Sequence, residues 1–160
     1  MFLVTLLASG IAWAFIDCKA NKPCKGNEKQ NTLTGSLGPD IMRGLGGPDY
    51  MFGENGDDKM YGGDGPETSN IGMFGGFGND LMKGGKSHDY LYGEVGNDTL
   101  YGGPGVDSLQ GEDGKDKIFG GSGNDFLDGG YGKDVIDCGP GRDTVFSPGG
   151  DRVKNCEIRA

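Results

Sequence analysis

Residues 75–119 read GGFGNDLMK, GGKSHDYLY, GEVGNDTLY, GGPGVDSLQ and GEDGKDKIF, five nine-residue units joined without a gap. Three more follow from Gly120: GGSGNDFLD, GGYGKDVID and CGPGRDTVF. Upstream, the same frame gives GSLGPDIMR from Gly35, GLGGPDYMF from Gly44 and GENGDDKMY from Gly53. A further unit opens at Gly62 as GGDGPE and runs four residues longer than the frame, to Phe74. Across these twelve units position 1 is Gly except at Cys138, position 4 is Gly except at Ser87, and position 6 is Asp except at Glu67. A fixed short period of this kind marks a repeat architecture in which each unit stacks on its neighbours.

Each position has a physical reason. Glycine adopts φ > 0 without steric cost, so positions 1 and 4 let the chain turn tightly and expose carbonyl oxygens. Position 6 supplies a hard anionic oxygen, the donor that Ca²⁺ prefers. Turn chemistry alone would let Asn, Ser and Asp interchange there, yet Asn never takes position 6 within the twelve units. Position 8 is apolar throughout, running from Met42, Met51 and Met60 to Leu127, Ile136 and Val145. Positions 7 and 9 are mixed. The pattern predicts short strands of about three residues with only the middle side chain inward. Two ragged units flank the array: Gly26 to Thr34, with Asn31 at the acidic position, and a shortened Ser147 to Asn155, with Asp151 in that role.

The units resemble the G-G-x-G-x-D-x-U-x repeat of RTX, or haemolysin-type, calcium-binding proteins, over about Gly26 to Asn155. The same motif is known as a calcium-binding β-helix repeat. The resemblance implies an all-β fold, a right-handed parallel β-roll (a β-solenoid) in which successive nonapeptides form alternate half-turns. It implies Ca²⁺ between turns stacked on one side, held by the position-6 acid and loop carbonyls. One edge then stacks Asp40, Asp58, Asp80, Asp98, Asp116 and Asp134. The other stacks Asp49, Glu67, Asp89, Asp107, Asp125 and Asp143. Glu67, beside the insertion, and Asp89, preceded by Ser87 and His88, are expected to be the poorer ligands. One inward side chain per unit makes a thin core, and stacked carboxylates repel each other. Folding is therefore expected to depend on calcium.

The 160 residues include 35 Gly and 7 Pro, a load that without a period would indicate disorder. The net charge of −9 argues against nucleic acid and anionic membrane surfaces as partners and favours cations. Residues 1–14, MFLVTLLASGIAWA, read as a signal peptide ending in an A-x-A pattern, so the protein is expected to be secreted. The apolar run is too short for a membrane span. Cys18, Cys24, Cys138 and Cys156 allow three disulfide pairings. The local pairs Cys18–Cys24 and Cys138–Cys156 are preferred because each staples one end. Zinc is disfavoured, since C-x₂-C spacing is absent and His88 is the only histidine.

The expected organisation is a signal peptide at 1–14, an N-terminal cap at 15–34, the calcium-binding roll at 35–146 and a C-terminal cap at 147–160. A single histidine leaves no readable Ser/His/Asp grouping, and the repeat accounts for the paired carboxylates, so no enzyme is expected. The expected function is a structural or adhesive extracellular module that binds multiple calcium ions and engages a cell-surface or matrix component. The alternative is an accessory module of a secreted hydrolase or toxin system.

Overall fold

The computed structural model describes residues 14–18, 23–64, 71–148 and 150–159. The expected signal segment lies outside them except for Ala14. Every described element is a β-strand or a turn, and every strand pair is parallel. Among the described residues, ten strands form one sheet and eight the other, and the chain alternates between the two. The result is a β-solenoid of the expected roll type. It advances one full turn in 18 residues, so that Leu100 lies beside Ile118 and Ile118 beside Ile136.

The period-9 apolar positions become two facing columns. Cys24, Met42, Met60, Met82, Leu100, Ile118 and Ile136 stack in one sheet. Leu33, Met51, Met73, Leu91, Leu109, Leu127 and Val145 stack in the other. All twelve position-8 side chains are fully buried. The columns therefore are the core, one side chain deep. Methionines fill its first half, where an unbranched chain adapts to irregular space.

Tyr50–Phe52, Phe126–Asp128, Val135–Asp137 and Thr144–Phe146 have the expected three residues with the middle one buried, and other strands run longer. Ile41–Leu45 and Leu81–Gly85 have five, and Asp89–Val95 and Ser108–Gly114 have seven. The extension comes from position 1, where the alternation brings a second residue inward. Gly44, Gly84, Gly93 and Gly111 are buried there. With no side chain, they continue the strand and leave the space beneath it free.

The insertion does not disturb the stack. Met51 pairs with Met73 and Met60 with Met82, so the register on both sheets resumes beyond the insertion. Stacking also runs through the segments expected as caps: Ala14–Asp17 pairs with Asn31–Thr34, and Arg152–Lys154 with Val135–Asp137. Both preferred disulfides are present, Cys18–Cys24 and Cys138–Cys156, with Cα atoms 5.4 and 5.2 Å apart. On the outer faces, cross-strand neighbours pair by type. Phe52, Phe74 and Tyr92 stack at 5.1 Å intervals, and Arg43 lies over Tyr61.

Candidate metal-binding site

Each turn between the sheets uses positions 1 to 6. Positions 2 and 4 take the left-handed conformation in most units, as at Gly76 (φ 98°) and Gly78 (φ 140°), though not at Ser36, Gly38, Ser87 or Gly105. Where position 2 is Glu54, Glu94 or Glu112, the same φ of 71–74° is imposed on a residue with a Cβ. The turn folds the position-6 side chain inward, under the Gly at position 1. Eleven of the twelve predicted ligand residues lie in the described structure, and all eleven carboxylates are buried.

Those carboxylates form two columns. On one edge the Asp40 amide donates to Asp58 Oδ1 (2.7 Å), Asp58 to Asp80 (2.8 Å), Asp80 to Asp98 (2.7 Å), Asp98 to Asp116 (2.8 Å) and Asp116 to Asp134 (2.9 Å). On the other edge Asp89 donates to Asp107, Asp107 to Asp125 and Asp125 to Asp143, each at 2.9 Å. Except at Asp89, where both oxygens lack a partner, one carboxylate oxygen is thus used to hold the preceding turn. The second, Oδ2, is buried without a hydrogen-bond partner at Asp49, Asp58, Asp80, Asp89, Asp98, Asp107, Asp116, Asp125, Asp134 and Asp143. Asp40 differs, because its Oδ2 accepts the Ser36 amide (2.6 Å) and hydroxyl (2.9 Å).

The unpartnered oxygens share a repeated surrounding. A Cβ added to Gly75 would lie 2.5 Å from both Asp80 Oδ2 and the Gly93 carbonyl oxygen of the next turn. One on Gly102 would lie 2.5 Å from Asp107 Oδ2 and from the Gly120 carbonyl oxygen. Each gap between stacked turns therefore gathers a buried carboxylate oxygen and a backbone carbonyl around a space that only glycine leaves open.

A buried, unpartnered carboxylate is costly. Burial pushes the Asp49, Asp58, Asp89 and Asp98 carboxyls up to about 7, Asp107 to about 8, and Asp80 and Asp116 to about 6. The backbone amide that each accepts opposes the shift, and at Asp58, Asp98 and Asp107 the stacked neighbours' charges add to it. Asp125 and Asp134 are also raised, first by burial. Such oxygens call for a proton or a cation. No group of three or more His, Cys, Asp and Glu side chains is placed to hold a metal among the described residues. A donor set here must combine carboxylates with backbone carbonyls. All-oxygen, anionic and hard, it fits Ca²⁺ rather than a nitrogen- or sulfur-seeking metal.

The second edge is broken in the middle. Glu67 lies outside the described residues, and the register slot between Asp49 and Asp89 belongs to Ile71, which pairs with Asp89. Ile71 is 1% exposed, and its Cδ1 would stand 2.6 Å from a Cβ on Gly62, where other units place the carboxylate oxygen. The signal was available: counting back from Met73 at position 8 puts Ile71 at position 6. At Asp89 the turn keeps its register despite Ser87 and His88, and His88 is an exposed turn residue whose Nδ1 accepts the Val106 amide (3.1 Å).

Both edges close on acids outside the regular units. Asp134 donates its amide to Asp151 Oδ1 (3.0 Å), and Asp143 donates to Glu157 Oε2 (3.1 Å). Asp151 is legible from the shortened unit, whereas Glu157 falls in no frame. At the other end Asn31, whose amide donates to Asp49 Oδ1 (2.8 Å), takes the acidic slot with a neutral side chain.

Residues 26–66, 74–109 and 110–145 match one family model, that of the RTX calcium-binding nonapeptide repeat. No curated protein matches the chain.

Proposed function

Since the chain belongs to the RTX calcium-binding nonapeptide repeat family, with Ca²⁺ as its metal, we propose that it is a secreted protein that folds around calcium. Its ligands are Asp40, Asp49, Asp58, Asp80, Asp89, Asp98, Asp107, Asp116, Asp125, Asp134 and Asp143. The observation that carries this reading is the columns of buried, unpartnered Oδ2 atoms, which at Asp49, Asp58, Asp80, Asp89, Asp98, Asp107, Asp116 and Asp125 lie beside a backbone carbonyl of the adjacent turn. Bound calcium supplies the positive charge that allows these acids to stay ionised out of water. The protein's own part is positional. The position-1 glycines keep the gaps open, the amide-to-Oδ1 bonds set the spacing of the carboxylates, and the Met/Leu/Ile columns hold the two edges apart.

The two disulfides support an oxidising, extracellular location, and the leader-like residues 1–14 agree with it. We assign no catalytic role. The aromatic ladders Phe52–Phe74–Tyr92 and Tyr101–Phe119 on the outer faces suit a structural or adhesive module that meets a cell-surface or matrix component. Circular dichroism during a calcium titration tests the central claim. The chain in chelator is expected to lack most of its β signal and to gain it cooperatively with calcium. A β spectrum already complete in chelator refutes calcium-dependent folding. Binding to surface or matrix extracts only when calcium is present would bear out the adhesive role, and calcium-independent binding would count against it.

A further inference from the structure

The C-terminal end of the first edge differs from every inner turn. The strand Arg152–Lys154 pairs with Val135–Asp137 in the register of the repeats, which sets Asp151 beside Asp134 although residues 147–157 lie outside the matched units. The Arg152 amide donates to the Asp134 carbonyl (2.8 Å), continuing the turn-to-turn pattern. Inner gaps gather one carboxylate oxygen and one position-1 carbonyl of the next turn. Here a Cβ on Gly129 would lie 2.7 Å from Asp134 Oδ2 and 3.2 Å from Asp151 Oδ2. Two carboxylates thus converge on one point. Asp134 is 1% exposed and its Oδ2 has no partner. The Ser147 hydroxyl donates to Asp151 Oδ2 (2.8 Å) and fixes the carboxylate in that direction.

The second edge ends otherwise. Glu157 reaches the Asp143 amide, but Cys138 stands where the units have Gly. Its Cβ and the Cys138–Cys156 disulfide take the place that glycine leaves open elsewhere. The two ends are therefore not equivalent.

We propose that Asp134 and Asp151 form an additional terminal calcium site, in which a residue outside the repeats supplies a second carboxylate and thereby ties the C-terminal segment to the roll. This rests on the reading of the columns as calcium-binding. Two facing carboxylates repel each other unless a cation lies between them, and a divalent ion with hard oxygen donors is the matching ligand. The site gives the last turn what it lacks, a following repeat whose carbonyl would complete the gap.

Native mass spectrometry of the full chain at saturating calcium tests the proposal. Asp151→Asn keeps an oxygen to accept the Asp134 amide while removing the charge. The variant is expected to carry one calcium fewer than the wild type, with an unchanged circular dichroism spectrum in calcium. The same count and the same half-saturation in the two proteins overturns the terminal site. A wild type that binds no calcium overturns instead the reading on which it rests. If Asp151→Asn fails to fold in calcium, Ser147→Ala decides. A severalfold weaker last ion supports the site, and an unchanged titration overturns it.

Discussion

Alanine at Gly75 tests the idea that position 1 is empty because the gap needs the space. The added Cβ would lie 2.5 Å from Asp80 Oδ2 and 2.5 Å from the Gly93 carbonyl oxygen. An ordinary carbon–oxygen contact is about 3.3 Å or more, so both neighbours must retreat by roughly 0.8 Å. The Gly93 oxygen belongs to the backbone of a stacked strand end and has little freedom. Asp80 can rotate, but its Oδ1 then leaves the Asp58 amide, now 2.8 Å away. Overpacking of this kind costs about 1–3 kcal/mol. For a chain of this length each kcal/mol shifts Tm by about 2–4 °C, so a mid-range cost of about 2 kcal/mol lowers Tm by roughly 4–8 °C. Gly38 is the control. An added Cβ there meets nothing within 4 Å, and its φ is not positive. Gly38→Ala should be stabilising by about 0.4–1 kcal/mol through the unfolded chain. Thermal unfolding in saturating calcium, with calorimetric ion counts, reads both. Gly75→Ala should unfold earlier and bind less calcium, and Gly38→Ala should do neither. Equal midpoints for the two variants, or a wild-type ion count in Gly75→Ala, would refute the argument.

Acidity should act in opposite directions on the calcium-free chain and on binding. The Asp49, Asp58, Asp89 and Asp98 carboxyls titrate near 7 when folded and near 3.9 when unfolded. Between those values the folded state holds more protons, so without calcium its stability falls as pH rises and is lost above about 8, the value at Asp107. In chelator the β signal should be larger at pH 5 than at pH 8, while the calcium needed for half-saturation rises on acidification; the reverse slopes would contradict the burial of these groups. Ile71→Asp returns an acid to the broken edge and should raise the calcium count seen by native mass spectrometry, an expectation sunk by an unchanged count. Asp98 has carboxylate neighbours in both stacked turns, Asp80 and Asp116, whereas Asp49 has Asn31 and Ile71. Asp98→Ala should therefore weaken overall calcium binding more than Asp49→Ala in a calorimetric titration, and the opposite order would contradict the shared-gap geometry.

Much of this arrangement is legible in the residues because one physical requirement recurs at each position. Met82, Leu100 and Ile118 are inward because position 8 is the one side-chain position that is apolar in every unit. Asp80, Asp98 and Asp116 share an edge because alternate units fall on the same side. What escapes the frame is where the frame is interrupted. A four-residue insertion hides the point at which the chain re-enters register, so an acid near the expected place, Glu67, draws attention from Ile71, which occupies it. Glu157 is brought to Asp143 by the Cys138–Cys156 link and by stacking of the last strands, and no local pattern announces it. The left-handed backbone at Glu54, Glu94 and Glu112 is likewise set by the turn above and below rather than by glutamate's own preference.

The columns also have a consequence for the whole molecule. Because each gap sets an unpartnered carboxylate oxygen beside a backbone carbonyl, every Ca²⁺ that fills one adds two positive charges. The chain starts from a formal net charge of −9, and about five divalent ions are enough to carry it past neutrality. Calcium would then change the sign of the protein as well as its order: a rod that anionic surfaces repel when empty becomes, when loaded, one that they attract.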